Sequence, residues 1–419
     1  MKILVQKFGG SSLKDLSCVE KAAAIVAEAR SHGNAVVAVA SASGDTTDKL
    51  LGMCAGFDLH NCGRELDMLL ATGEQASASL LAMAVSQTGC GAQSFTGGQA
   101  GITTDKFFGA ASILKVKPDM VLRCLKEGKV AVVAGYQGMC SGEITTLGRG
   151  GSDTTAVALA QALSAQYCDI YTDVDGVYSV DPRLSPLAKR LEKVSFAQML
   201  AMAKGGARVM NVGSMVQALS GTVPVRVRST ESPGDCGTLI GGDQYNLDFC
   251  GIAVDHCSMF LIDPVDSLIE LGAVQKLLRQ LRESGVSAEV VHRLSRRQIQ
   301  GKIYLAVSKN HLHDSQKLLR NLGHFMGLKI TYLHDLSKIS VVGNFPNAEH
   351  AGQKVVSQLL ANGVCPIYFG RDRNRLLALV LPSAIKKSVQ ILHDGFASQS
   401  HVKDAEAVVL GVERVTGAA

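Results

Sequence analysis

Apolar residues in the first half of the chain cluster in short runs, separated by longer stretches of mixed polarity. Residues 2–8 (KILVQKF), 34–40 (NAVVAVA), 130–134 (VAVVA) and 168–172 (CDIYT) are such runs. A strand with one wetted face alternates apolar and polar positions. Runs with little alternation predict strands covered on both faces, as in a parallel sheet. Between and after the runs, segments 17–31, 74–87, 152–166, 195–204 and 214–220 predict helices. This succession predicts an α/β domain with a mostly parallel central sheet between helix layers. The turn-rich stretch 229–237 (STESPGDCG) marks a boundary, and 237–242 (GTLIGG) closes the domain.

Beyond about residue 246 the pattern repeats itself. One copy runs through 285–291, the arginine-bearing 293–297, a strand at 302–307 and a helix at 313–322. The other runs through 363–368, 371–375, 376–381 and 384–393 in the same order. Each is preceded by a strand (251–262 or 338–343) and a helix (268–284 or 348–362). Strand–helix–strand–strand–helix is the core of a ferredoxin-like unit. A last strand at 407–412 could complete either copy. The expected division is 1–245, then 246–335 completed by 405–414, then 336–400. Such a pair reads either as a structural appendage or as small-molecule sensing modules.

Composition narrows the class. At 419 residues, with about 150 per domain, the chain has room for two or three domains. A hydrophobic share of 47% with 19% charged residues excludes a disordered chain. Glycine is abundant at 43 residues while proline is scarce at 9, which points to tight turns within a folded protein. There is no tryptophan, aromatics make up 5%, and the net charge is +5, so neither nucleic acid nor an anionic membrane is an expected partner. No apolar run is long enough for a membrane span, and the opening run is too short for a signal peptide. Eleven scattered cysteines, an odd number without a CxxC pair, predict reduced thiols of a cytoplasmic protein.

Three segments carry candidate chemistry. Lys7-Phe8-Gly9-Gly10-Ser11-Ser12 follows the first strand. Its glycines let backbone amides approach a polyanion, and Lys7 can place a cation on phosphoryl oxygens; a plain strand-to-helix turn would look similar. Segment 145–155 (TTLGRGGSDTT) leads into a helix. Arg149 offers a planar fork for a carboxylate or phosphate between glycines that clear space, and Asp153 suits either an N-cap or a site. Segment 171–183 (YTDVDGVYSVDPR) sits at the carboxyl end of a parallel strand, where such sheets bind ligands. It also reads as an ordinary acidic turn.

These segments, with 73–75 (GEQ), 98–105 (GQAGITTD) and 133–138 (VAGYQG) in the same order, resemble the aspartate kinases of the amino acid kinase superfamily, and the C-terminal repeat resembles their paired ACT domains. The resemblance implies an amino acid kinase fold followed by two ACT domains. It implies transfer of the γ-phosphoryl of MgATP to the β-carboxylate of L-aspartate, the entry to lysine, diaminopimelate, threonine and methionine. By the same resemblance Lys7 stabilises the phosphoryl group and Asp153 orients Lys7. Glu74 binds the substrate ammonium, Arg149 with Ser152 clamps the α-carboxylate, and Ser41 and Thr47 form the substrate-side loop. Gly9, Gly10 and Ser11 line the phosphates. Thr172, Asp173, Tyr178, Asp181, Arg183 and Arg208 hold the nucleotide.

A carboxylate nucleophile is already ionised at neutral pH, so positive charge and positioning matter more than a base. No all-protein metal cage is expected, because Mg²⁺ is held mainly by phosphates. Arg208 stands where lysine is usual, Gly213 where arginine is common, and the loop 263–272 replaces a shorter effector loop. Lysine or threonine is the expected effector, and a homodimer through the C-terminal region the expected assembly. Two other readings are a kinase of an acylated amino acid, against which Glu74 speaks, and a non-catalytic sensor, against which Lys7, Arg149 and Asp153 speak.

Overall fold

In the computed structural model, residues 1–57, 62–264, 276–281, 288–291, 303–309, 319, 328–371 and 373–396 are described. The first part is built on an eight-stranded sheet. Its order is Lys193–Ser195, Thr238–Gly241, Val225–Ser229, Tyr167–Thr172, Ile3–Phe8, Ala35–Ala40, Val130–Ala134 and Ala92–Phe95. Only Val225–Ser229 against Thr238–Gly241 pairs antiparallel. The predicted parallel sheet is therefore present, with strands close to the apolar runs.

Side chains of a strand point alternately to opposite faces, and both faces here are apolar. Val36, Ala38 and Ala40 meet helices Leu16–Ser31 and Gly63–Gln87 in one core. Ala35, Val37 and Val39 meet the opposite core with helices Asp119–Lys126, Gly151–Ala162, Phe196–Gly205 and Val212–Leu219. The long helix starts at Gly63, well before the expected 74. Its first turns carry Arg64, Glu65 and Asp67, which obscure its period in the sequence. At 25 residues it is long and apolar enough by composition to cross a membrane, yet just over half of that apolar stretch is buried against this protein. It is a core helix that places Asp67 and Glu74 inside the fold. Helix Gly151–Ala162 stops short of the expected 166, where Ser164 takes a left-handed φ of 48° and turns the chain back toward the sheet.

A small sheet of Ile113–Val116, Ile102–Thr104, Gln137–Cys140 and Glu143–Thr146 closes over one end. Its short, largely polar strands give no apolar run to detect.

The two C-terminal repeats share one six-stranded antiparallel sheet. Its order is Ala288–Val291, Ile303–Ser308, Phe249–Pro264, Leu328–Gly343, Arg375–Val380 and Tyr368–Arg371. Phe249–Pro264 and Leu328–Gly343 pair along their lengths, from Phe249 opposite Gly343 to Pro264 opposite Leu328. The expected strand 338–343 is only the end of the second of these, because 328–337 alternates without a marked apolar run. Each repeat contributes three strands in the same relative order. Helices Ala348–Ala361 and 385–396 cover the second half. The expected strand 405–414, the altered loop beyond Pro264 and most of helices 268–284 and 313–322 lie outside the described residues.

The six-stranded sheet docks on the first part at Gly205 and Gly206. A Cβ on Gly206, whose φ is +110°, would sit 2.5 Å from the Val254 carbonyl oxygen. All eleven cysteine thiols are free.

Candidate active site

The carboxyl ends of Ile3–Phe8, Ala35–Ala40, Val130–Ala134 and Tyr167–Thr172 lie along one edge of the sheet. The loops that follow them carry most of the residues singled out in the sequence, as expected where parallel strands end.

Lys7 Nζ lies 2.6 Å from Asp153 Oδ1, and both side chains are nearly buried. Asp153 is not the N-cap. That place is Gly150 in a left-handed conformation with φ +72°, and Asp153 sits in the first helical turn with its carboxylate on Lys7. An acidic group there also suits the helix dipole. Gly9 donates its N–H to the Tyr171 carbonyl at 3.2 Å, so that amide serves the fold. A Cβ on Gly9 would stand 3.5 Å from Lys7 Nζ, and one on Gly10 would stand 2.9 Å from the Ala42 carbonyl oxygen. Ser11 opens a short 3₁₀ turn, and Ser12 behind it is buried.

Glu74 projects from helix Gly63–Gln87 beneath the loop after Ala40, with 4% of its surface exposed. Oε1 accepts from the Ala42 N–H at 3.1 Å, while Oε2 is buried with no hydrogen-bond partner. Burial raises its pKa to about 7, against the opposing pull of the Ala42 amide. A buried acceptor left half-satisfied is costly, and it marks a place prepared for a donor or cation. Ser41 is half-buried, its amide bonded to the Phe8 carbonyl, and Thr47 lies in helix Thr46–Met53.

Arg149 is exposed, flanked by Gly148 and Gly150, both with φ near +70°. Ser152 is buried beneath it, and a Cβ on Gly135 would fall 2.7 Å from its Oγ. Asn211 closes this loop from the other side: a Cβ on Gly150 would lie 2.3 Å from the Asn211 Cβ. Asn211 also caps helix Val212–Leu219, accepting from Gly213 at 2.7 Å. Gly150→Ala is therefore expected to cost about 1–3 kcal/mol from the combined strain and clash, read as a lower denaturation midpoint.

In the third segment Thr172 Oγ1 donates to Asp173 at 3.0 Å, and Tyr178 donates to Asp175 at 3.1 Å. Arg183 grips Asp181 with a 2.7 Å ion pair. That guanidinium lowers the Asp181 pKa, with Arg208 adding to the effect, which places exposed Arg208 beside this loop. The segment forms an acidic turn knit together by its own carboxylates.

Two residues had no role assigned from the sequence, although Gln137 lies in the segment 133–138. Asp67 is fully buried and accepts from Gly109 N at 2.9 Å, Thr146 N at 2.7 Å and Thr146 Oγ1 at 2.6 Å. It ties the long helix to the strand leading to Arg149. Gln137, also buried, donates to the Ala71 carbonyl at 3.0 Å and accepts from Gln75 at 3.1 Å. A signal for Asp67 was present: it lies seven residues before Glu74, on the stripe of Leu70, Ala71, Ala78 and Leu81.

A parallel sheet whose strand ends gather a lysine–carboxylate pair, a buried glutamate and arginine-bearing glycine loops defines a phosphotransferase of the amino acid kinase type. The chain matches the model of the amino acid kinase family over residues 2–229. It is similar to an aspartokinase of Bacillus sp. strain MGA3, at 36% identity over 94% of this chain and 97% of that one. It is likewise similar to an aspartokinase of Mycolicibacterium smegmatis, at 36% over 98% and 99%. Among solved structures it resembles E. coli aspartokinase III in complex with aspartate and ADP, with a TM-score of 0.76, 25% identity, and coverage of 94% of this chain and 99% of that one. Within the amino acid kinase family, the chain belongs to the aspartokinases.

Proposed function

We propose that this aspartokinase joins the γ-phosphoryl of ATP to the β-carboxylate of L-aspartate in the cleft between Lys7, Glu74 and Arg149, giving 4-phospho-L-aspartate. The observation that carries this reading is the Glu74 carboxylate, buried with Oε2 unpartnered on the same edge as the Lys7–Asp153 pair. A free amino acid brings the ammonium that such an oxygen lacks; an acylated amine brings none. Arg149 and Ser152 take the α-carboxylate, and Ser41 and Thr47 border the amino acid. The β-carboxylate attacks as an anion, so the task is to hold two anions together. Lys7 offsets the charge on the moving phosphoryl group, and Asp153 keeps its ammonium in place. Gly10 and Ser11 offer backbone and hydroxyl donors to the phosphates, with Gly9 giving the clearance beside Lys7. Thr172, Asp173, Tyr178, Asp181, Arg183 and Arg208 hold the nucleotide.

Mg²⁺ held mainly by the phosphates would supply further charge neutralisation beside Lys7. E. coli aspartokinase III has been solved with lysine and aspartate. By that likeness the six-stranded sheet is an effector module for lysine. Threonine as the alternative effector, and a cytoplasmic homodimer joined through the C-terminal region, rest on the sequence resemblance. The reaction opens the route to lysine, diaminopimelate, threonine and methionine.

The test is aspartyl hydroxamate formation from L-aspartate, MgATP and hydroxylamine, with lysine and threonine added singly and together. Product at rates far above a Lys7→Ala control is the expected outcome. Equal rates for the two proteins would refute the assignment.

A further inference from the structure

The loop 178–190 contains Tyr178, Asp181 and Arg183, and it is folded around a buried serine bonded to the C-terminal repeats. Ser179 is 5% exposed, and its backbone and hydroxyl are all committed. Its N–H donates to the Lys189 carbonyl at 2.8 Å. Its carbonyl accepts from the Ile252 N–H, in the strand Phe249–Pro264, at 2.6 Å. Its Oγ accepts from the Lys189 N–H at 3.1 Å and lies 3.1 Å from His393 Nε2.

His393 belongs to the helix 385–396 of the second C-terminal repeat. It is 3% exposed and packs edge-on against Phe249, with ring centroids 5.8 Å apart. The neighbouring Val180 is 1% exposed and belongs to the core of that same repeat, with Ile252, Ile339, Val341 and Leu392. Gly251 makes the approach possible, because a Cβ there would sit 2.2 Å from the Ser179 carbonyl oxygen.

From this we infer that Ser179 and His393 are positioning residues for the nucleotide: their buried hydrogen bond, with the Ile252 amide and the Val180 anchor, fixes the loop carrying Tyr178 and Arg183 to the C-terminal sheet. This rests on the reading that Tyr178, Asp181 and Arg183 hold ATP. The C-terminal repeat then contributes to the catalytic reaction by shaping the ATP side of the cleft. Two adjacent residues divide the work. Tyr178 faces the loop's acidic turn, while Ser179 faces the opposite way, into the repeat.

The experiment is steady-state kinetics on the full-length protein, varying ATP and aspartate separately, with thermal midpoints for each variant. Ser179→Ala and His393→Phe are expected to raise the KM for ATP about tenfold, the size expected for one buried hydrogen bond. The KM for aspartate should stay within about twofold of wild type, near the usual limit of additivity between distant sites. His393→Gln, whose amide can reach the position of Nε2, should restore the KM for ATP. Arg183→Ala serves as the reference for the nucleotide site. If it raises the KM for ATP while Ser179→Ala and His393→Phe leave it unchanged, the inference is wrong and the site assignment stands. If Arg183→Ala leaves it unchanged too, the site assignment has failed and takes the inference with it. A parallel rise in both KM values with lowered midpoints, unrelieved by His393→Gln, would show general destabilisation and overturn the inference.

Discussion

Lys7→Ala is expected to lower kcat by on the order of 10³ or more, with smaller changes in either KM, because it removes a cation directed at charge in flight. The ammonium sits at the end of the central strand Ile3–Phe8, nearly buried and 2.6 Å from Asp153. Low exposure strengthens its field, and the partner spares it conformational freedom at the moment of reaction. Asp153→Asn should give a milder loss, since Lys7 then keeps its charge but loses the group that aims it. Rapid-quench measurement of the chemical step separates these effects from product release. A Lys7→Ala protein with the kcat of wild type would remove Lys7 from the mechanism.

Glu74→Gln is expected to cut kcat/KM for aspartate by on the order of 10²–10³ while making the free protein more stable. The two effects have one cause. Truncating one side of a buried charge pair costs several kcal/mol, which is the substrate's loss. In the free protein the same carboxylate is a liability. Its pKa is raised from 4.5 to about 7, so the fold favours the neutral form. A raised acid contributes no penalty below its unfolded pKa, and the full penalty once pH exceeds the folded value. The gain from Glu74→Gln should therefore be largest at pH 8, about 3 kcal/mol as an upper bound, and should fade as pH drops toward 5. Denaturant titrations of the substrate-free protein at pH 8 and pH 5.5 measure it. In the wild-type enzyme the KM for aspartate should rise as pH falls below about 7, where Glu74 takes up a proton in competition with the ammonium. A pH-independent KM together with no stability gain would show that Glu74 is not the amine site.

Much of the cleft was legible because glycine and charge leave marks that do not depend on partners. Gly9-Gly10 and Gly148–Gly151 stand out by spacing, and Lys7, Arg149 and Asp153 stand out by their company. Asp67 was hidden for the opposite reason. An aspartate near a helix start ordinarily faces water, and only the amides of Gly109 and Thr146 with the Thr146 hydroxyl, distant in sequence, offset its burial. Asp153 could be read in the sequence as a helix cap, because the choice between capping and pairing with Lys7 depends on where a strand begun at Ile3 ends in space.

The same division runs through the fold. The four apolar strands at the centre of the first sheet and most of the helices around it, the repeat in the second part and the glycine turns were set by the sequence itself, because periodicity and backbone freedom are local properties. The join of the repeats into one sheet was decided by tertiary structure, since Phe249–Pro264 finds its partner in Leu328–Gly343 across many intervening residues. So was the burial of Val180 and Ser179 in the second repeat, which couples the loop after one parallel strand to a helix some two hundred residues later. Hydrogen bonds and core contacts of that separation carry no local signature. They exist only once the chain has paid the entropy of bringing their ends together.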